Sequence, residues 1–287
     1  MLQHYVKKHK ESIFENNQLP QLLYITNTSE MKTYFPRMLH KHDEHLEIVF
    51  IVKGCGKHLI GGTKYDTQAG DILIFNPGII HDETAQSNSD MVTYTCGVTN
   101  LKIKGMDKNF LFDISSPAVI SSREYQSIIE KSLDIMLFHV TEKTDNANEI
   151  CRYLLSSLLT LIVKLPRQPN TLFFCQKPTL IDQVKRYIET HYAERLTLQD
   201  IASRFNVSAY YLSRLFKEKT DFSPIQYLNR RRIGEAQSLL MTTNYSITQI
   251  SDLVGYENVS YFSAAFSKMT GISPSLYRTL WVGTTLA

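Results

Sequence analysis

Thr197-Leu198-Gln199-Asp200-Ile201-Ala202-Ser203-Arg204-Phe205 runs into Asn206-Val207-Ser208 and then Tyr211-Leu212-Ser213-Arg214-Leu215-Phe216. The chain answers this stretch further on with Ile250-Ser251-Asp252-Leu253-Val254, Gly255-Tyr256 and Tyr261-Phe262-Ser263-Ala264-Ala265-Phe266. The first copy closes on Thr220-Asp221-Phe222-Ser223-Pro224 and Tyr227, the second on Thr270-Gly271-Ile272-Ser273-Pro274 and Tyr277. Aligning Ile201 with Ile250 and Phe216 with Phe266 leaves one extra residue at the central turn of the second copy. An internal repeat of this kind decides the fold before any single residue does.

Each copy has the pattern of a helix-turn-helix: a short amphipathic helix, a tight turn, then a helix opened by a capping side chain. Ser208 is placed to accept a backbone N–H at the start of the second helix. Leu212, Leu215 and Phe216 recur at helical spacing and are expected to pack on the first helix. Tyr210, Ser213, Arg214 and Lys217 then share the opposite ridge. A guanidinium on such a ridge can fork onto guanine in a major groove, while Lys217 and Tyr210 reach phosphates. One such hairpin is common in proteins that never touch DNA. Two copies joined by a long helix are not: from Ser223 to Met241, Ile225, Leu228, Ile233, Ala236, Leu239 and Leu240 keep a helical period around Arg230-Arg231-Arg232. That helix can hold two reading heads one DNA turn apart.

The run Arg232-Ile233-x-Glu235-Ala236-x-x-Leu239-Leu240, then Ile247-x-x-Ile250, Gly255-Tyr256, Ser260-Tyr261-Phe262, Phe266, Gly271-x-Ser273-Pro274 and Tyr277-Arg278, resembles the signature of the AraC/XylS family of transcription regulators. The resemblance implies two helix-turn-helix units in successive major grooves and transcriptional control, usually activation, with RNA polymerase as a partner. The second recognition helix, about 258–268, departs from the family pattern. It presents Ser260, Ser263, Ala264 and Ser267 where many relatives carry Arg or Gln. The first unit is therefore expected to supply most base readout, and the second, through Asn258, Ser260, Tyr261 and Ser263, mainly to position the protein on the backbone. Core packing is the competing reading for Phe262, which matches Leu212, and to a lesser degree for Tyr261.

The rest of the chain bounds these readings. At 287 residues, 43% hydrophobic and 21% charged, it has material for two globular cores. From Pro178 onward there are twelve Lys/Arg against nine Asp/Glu, which accounts for the whole formal charge of +3. The positive excess thus lies in the part expected to meet a polyanion. Cys55, Cys96, Cys151 and Cys175 form no C-x-x-C pair, as expected of reduced cysteines. Met1 to Lys10 has no apolar core of a signal peptide, and Leu154 to Val163 is too short and Ser-interrupted to span a bilayer. These features predict a cytoplasmic protein without a membrane partner.

Ahead of the repeat, short apolar runs alternate with turn residues. Leu46–Val52 precedes Gly54-Cys55-Gly56, His58–Ile60 precedes Gly61-Gly62, Asp71–Phe75 precedes Asn76-Pro77-Gly78, and Met91–Cys96 follows. This predicts a β-sandwich or barrel. His40-x-His42, Glu47 and Gly54, then Gly70-Asp71 and Pro77-Gly78-x-x-His81, resemble the two motifs of the cupin family. The resemblance implies a jelly-roll barrel with a ligand pocket in its mouth. In metal-binding cupins the matching positions, here His40, His42, Glu47 and His81, are ligands suited to a borderline divalent ion. The competing reading, which we adopt as the expectation, is that no metal or other cofactor resides there. Instead His40, His42, Glu47 and His81, with Tyr94 and Arg37, bind a small-molecule effector such as a sugar. Arg37 also has the commoner fate of a surface salt bridge open to it.

From Ser121 to Leu165 the period turns helical. Ile128, Ile129, Leu133, Met136, Leu137 and Val140 form one apolar face, and Leu154, Leu155, Leu158, Leu159 and Ile162 another. A polar turn from Thr141 to Asn148 separates them. In relatives such helices pair two subunits; the competing reading is that both faces are used within one chain. Pro166, Pro169 and Pro178 frame a linker containing Leu172, Phe173 and Phe174. The expected architecture is α+β with two domains: a cupin-like effector domain over 1–120, a helical pair over 121–165, a linker over 166–178, and an all-α double helix-turn-helix domain over 179–287. The expected function is sequence-specific, effector-responsive regulation of transcription, of carbohydrate genes among others, with double-stranded DNA as partner and no enzyme activity. Two rivals remain open on the sequence: a cupin metalloenzyme with a DNA-binding tail, and a structural DNA binder indifferent to sequence.

Overall fold

The computed structural model describes residues 3–4, 11–30, 37–83, 91–165 and 179–285, so the expected linker over 166–178 lies outside the described residues. The chain begins with a β-rich unit: β1 (Gln21–Asn27), β2 (Leu46–Lys53), β3 (Cys55–Ile60), β4 (Thr63–Gln68), β5 (Asp71–Phe75), β6 (Val92–Thr99) and β7 (Val119–Ser121). Five strands form an antiparallel sheet in the order β1-β6-β2-β5-β7, and β3 pairs with β4 as a hairpin. Single bridges from His81 to His40 and to Ile60 draw the hairpin side and the sheet side together. The runs read from the sequence are the strands that bury residues on both faces. β4 escaped that reading because Thr67 is its one buried residue.

Alternation along β2 and β5 sorts the core into two layers. Ile48, Phe50 and Ile72, with Tyr94 and Cys96 of β6, pack under the helices α1 (Gln126–Thr141) and α2 (Ala147–Lys164). Val49, Ile51, Leu73 and Phe75 face the other way, with Ile60 of the hairpin. The helical pair is where it was expected, with one difference. Ile129, Leu133, Met136 and Leu137 are buried, whereas Ile128 and Val140 are exposed, together with Ile135 and Phe138. A single sheet layer can cover only one side of α1; Ile128 and Val140 project past its edge. On α2, Leu155, Leu158, Leu159 and Ile162 are buried as expected, joined by Cys151, while Leu154 is half-buried.

The second unit is seven helices: α3 (Leu180–His191), α4 (Leu198–Arg204), α5 (Ala209–Thr220), α6 (Pro224–Thr242), α7 (Ile247–Leu253), α8 (Val259–Thr270) and α9 (Pro274–Thr285). Sequence chemistry sets their starts. Thr179/Asp182, Thr197/Asp200, Ser223/Gln226 and Ser246/Gln249 are reciprocal capping boxes, and Pro224 opens α6. There are two cores, one per repeat. Ile181, Val184, Ile188, Ile201, Leu212, Phe216, Tyr227 and Leu228 form the first, and Ile233, Ala236, Leu240, Ile250, Val254, Phe262, Phe266 and Tyr277 the second. Helix α6 belongs to both, its first half in one head and its second half in the other.

The three central arginines of α6 serve this scaffold. Arg231 is 1% exposed, pairs with Glu235 at 2.8 Å and lies over the Tyr192 ring. Arg232 donates from Nε and Nη2 to the carbonyls of Tyr192 and Glu194, both at 2.7 Å. Arg230 reaches Asp82 of the β-rich unit at 3.4 Å.

That last contact is part of a continuous junction between the units. Leu39, Leu59 and Ile80 enter the first helical core, and Met38 enters the second. Adjacent residues of one segment thus straddle α6. They can do so because Gly234 has no side chain: a Cβ there would lie 2.0 Å from the Leu39 carbonyl oxygen and 2.6 Å from its carbon. Gln237 accepts the Met38 N–H at 2.8 Å through Oε1, Lys185 of α3 donates to the Gly62 carbonyl at 2.6 Å, and Lys64 pairs with Asp221 at 2.6 Å.

Candidate nucleic-acid interface and histidine cluster

On the first head, Ser208 caps α5 by accepting the Tyr211 N–H at 3.2 Å. The helix then buries Leu212 and Phe216, with Leu215 half-buried, and turns Tyr210, Arg214 and Lys217 to the surface, Ser213 being half-buried. Tyr211, not singled out from the sequence, is also exposed. In the second head, Asn258 caps α8 through Oδ1, which accepts from the N–H groups of Ser260 and Tyr261 at 2.8 and 3.0 Å. Ser260 is exposed and Ser263 half-buried. Phe262 is fully buried, in line with core packing, but Tyr261 is 65% exposed, against it. The turn between α7 and α8 is one residue longer than that between α4 and α5, as the repeat predicts. Between the heads lies an open cleft of about 470 Å³, lined by Gln226, Asn229 and Arg230 of α6 and Tyr261, Ala264 and Lys268 of α8. Its polar lining combines residues far apart in sequence, so periodicity could not announce it.

In the β-rich unit, four of the six expected effector residues converge. His40, His42, Glu47 and His81 each place one donor atom within 4.8 Å of all the others. Glu47 and His81 are fully buried, His40 is 1% exposed and His42 half-buried. The Glu47 carboxylate is central: Oε1 lies 3.2 Å from His81 Nε2, and Oε2 lies 3.2 Å from His42 Nε2. The Tyr24 hydroxyl donates to the same carboxylate, a contact sequence reading missed. It depends on a three-strand register in which Tyr24 lies opposite Gly97 and Gly97 opposite Glu47. A Cβ on Gly97 would strike the Tyr24 ring at 2.3 Å, so the missing side chain lets that ring cross β6. His45, 3.3 Å from the Tyr24 hydroxyl, and Glu83, 3.8 Å from His40 Nε2, complete the surroundings.

The ring orientations are set by backbone. His40 Nδ1 lies 2.8 Å from the Met38 carbonyl and His81 Nδ1 2.9 Å from that of Ile79. A carbonyl only accepts, so both Nδ1 atoms carry their protons, and in the neutral rings Nε2 presents a lone pair. Burial pushes His40 well below the ordinary histidine range, aided by the Arg37 charge. It also lowers His42, against the pull of Glu47. For Glu47 burial works upward, but hydrogen bonds from His42 and His81 outweigh it and hold the carboxyl well below its usual range. Burial raises Glu83 to about 7, against the lowering effect of Arg37. The cluster is therefore a carboxylate among imidazole lone pairs, acceptors facing acceptors. A shared proton or a cation relieves that arrangement. The buried His40 Nε2 and His42 Nε2 have no hydrogen-bond partner.

Two expected residues fall differently. Arg37 is no surface ion pair: it is largely buried, 3.8 Å from Glu83, and its Nη2 donates to Ser238 of α6 at 3.4 Å. Tyr94 stands apart from the cluster. It lies on the opposite face of the sheet, donates to Asp134 of α1 and lines a small apolar cavity with Phe50, Leu133 and Leu158. The period of two along β2 explains this, because Phe50, the partner of Tyr94, and Glu47 point to opposite faces.

Two exposed recognition helices on independent cores, tied by one shared helix and docked on a β-rich unit with a polar cluster, define a two-headed DNA-binding protein with an attached sensor fold. The sequence comparisons agree. A helix-turn-helix domain model matches residues 201–279, and an AraC-like ligand binding domain model matches residues 20–161. The chain belongs to the AraC family of DNA-binding transcription regulators. It is 28% identical over 243 residues to an uncharacterized HTH-type transcriptional regulator, YdiP, of Escherichia coli, covering 83% of this chain and 80% of that one. It is 28% identical over 235 residues to the lactose operon transcription activator of Staphylococcus xylosus, covering 79% of this chain and 81% of that one. Among solved structures, fatty-acid-bound ToxT from Vibrio cholerae aligns over 96% of this chain and 99% of its own, at 17% identity and a TM-score of 0.45. No helix among the described residues is long and apolar enough to cross a membrane.

Proposed function

We propose that this regulator is a cytoplasmic, effector-responsive activator of carbohydrate-related genes that acts with RNA polymerase and has no enzymatic role. In this reading residues 1–120 sense the effector, 121–165 pair two copies, 166–178 connect, and 179–287 read DNA. Arg214 reads a base edge, while Tyr210, Ser213 and Lys217, and on the second head Asn258, Ser260, Tyr261 and Ser263, hold the backbone. The observation that carries the reading is the exposed Tyr210–Arg214–Lys217 ridge on a capped, independently packed helix, repeated in a second head on the same α6. The sugar-operon relatives support the gene class. The exposed stripe of Ile128, Ile135 and Phe138 on α1 supports pairing, because an apolar row with no intrachain partner favours burial against a second copy.

Fluorescence anisotropy on DNA upstream of the gene and its neighbours, with random competitor at two salt concentrations and a panel of sugars, tests it. Preference for one fragment that survives raised salt, and shifts with a sugar, is the expected result. Binding that is uniform across sequences and vanishes with salt reflects phosphate contacts alone and refutes a sequence-reading regulator.

A further inference from the structure

We propose that His40, His42, Glu47 and His81 bind one first-row divalent transition-metal ion, and that the occupied site sets how the β-rich unit grips α6, making DNA binding metal-responsive. The inference deepens the reading above by naming the effector class, and it rests on that reading for its DNA readout.

The donor set fits an ion better than an organic ligand. Four donor atoms lie within 4.8 Å of one another, close to the spacing of about 3.4 Å that ligands 2.0–2.1 Å from a tetrahedral ion adopt. Only modest rotamer changes separate the two. Three imidazoles and one carboxylate suit zinc, nickel, iron or manganese rather than calcium or magnesium. His40 and His81 already carry the outer hydrogen bonds typical of ligating histidines, each Nδ1–H held by a backbone carbonyl two residues earlier, and Tyr24 orients Glu47. The buried, partnerless Nε2 of His40 is aimed at the cluster, where a cation gives it a partner.

The same segment joins the cluster to both heads. The carbonyl that fixes His40 belongs to Met38, whose N–H is held by Gln237 of α6 and whose side chain enters the second core. The next residue, Leu39, enters the first core and presses its carbonyl on Gly234. His81 pairs with His40 through two backbone hydrogen bonds of 2.9 and 3.0 Å and is followed by Asp82, the partner of Arg230. Fixing His40 and His81 on one ion therefore fixes the two segments that contact α6 on either side of Gly234. A ligand coupled in this way changes DNA affinity, and DNA changes its affinity by the same factor.

The test uses the full chain, stripped with a chelator and titrated with cobalt(II) and zinc(II), followed by visible absorption and calorimetry. DNA anisotropy is then measured with and without the ion. The expected result is one ion per chain, visible cobalt bands of a nitrogen-oxygen site, and a DNA affinity that differs between the two states by about 5–150-fold. His42→Ala, at the most accessible ligand, should weaken ion binding by about 100-fold or more while the far-ultraviolet spectrum is retained. Gln237→Ala keeps all four ligands and should keep the ion but lose much of the DNA response. Folded wild-type chain that takes up no stoichiometric ion, or a His42→Ala variant that binds as well as wild type, overturns the site; the wild-type arm decides alone if the variant does not fold. Ion binding with unchanged DNA affinity, or a response to sugars but not to metal, overturns the coupling. Stoichiometric ion with no preference for any fragment in either state leaves the site intact and overturns the regulator reading instead.

Discussion

Gly234→Ala reverses sign depending on whether the two units are docked. In a solvent-exposed helix interior, Gly to Ala stabilises by about 1 kcal/mol, because glycine loses more backbone freedom on folding. Here the new methyl lies 2.0 Å from the Leu39 carbonyl oxygen and 3.0 Å from the Met38 carbonyl carbon, both backbone atoms. Restoring an ordinary contact of about 3.5 Å requires α6 and the 38–39 segment to part by about 1.5 Å. That loosens Met38 in one core and Leu39 in the other, and overpacking of this kind costs about 1–3 kcal/mol. For a chain whose units are each of ordinary domain size, the melting temperature should fall by about 2–10 °C. Thermal unfolding followed by circular dichroism checks the sign, and limited proteolysis should show earlier cleavage near residues 37–40. A rise of a few degrees with unchanged proteolysis would mean that α6 meets no backbone at Gly234 in solution, and the docking argument fails.

Arg214→Ala should relax preference at one base step at a cost of about 1–3 kcal/mol, while Lys217→Ala should weaken all sequences alike and lower the salt slope by about one; equal losses on specific and random DNA for Arg214→Ala refute its role. Acid should destabilise the β-rich unit. His40, His42, His45 and His58 are all lowered by burial, His45 to about 4, so the unfolded chain takes up protons near pH 6.5 that the folded chain takes up only at lower pH. Stability is then complete above that unfolded value and lost as pH falls through the folded ones, at about 1.4 kcal/mol per pH unit for each such proton. Glu47, also lowered, extends the loss to lower pH; a flat denaturation midpoint between pH 7 and 5 contradicts this. Phe138→Lys should shift sedimentation from dimer to monomer without lowering the melting temperature of the chain, because that ring is 57% exposed; an unchanged dimer moves the pairing surface elsewhere.

Much of this protein was determined by local chemistry and is legible in residue order. Helix starts lie where Ser, Thr and Asn can cap, the two heads follow from a repeat whose buried positions are occupied by equivalent residues, and the exposed ridge of α5 is the complement of its apolar stripe. The histidine motif was legible as a list of residues because three of its members flank or open strands. What residue order could not hold is anything that depends on which backbone lies against which. Tyr24 reaches Glu47 only across the register of β1, β6 and β2; Tyr94 leaves the cluster because strand alternation sends it to the helix side. Arg230, Arg231 and Arg232, read in sequence as a basic run, become three separate internal ties once α6 is enclosed by its neighbours. The close approach of Leu39 to Gly234, some two hundred residues apart, is a packing event between two units. Short-range hydrogen bonding and periodicity specify elements one at a time; long-range burial decides which of their faces meet.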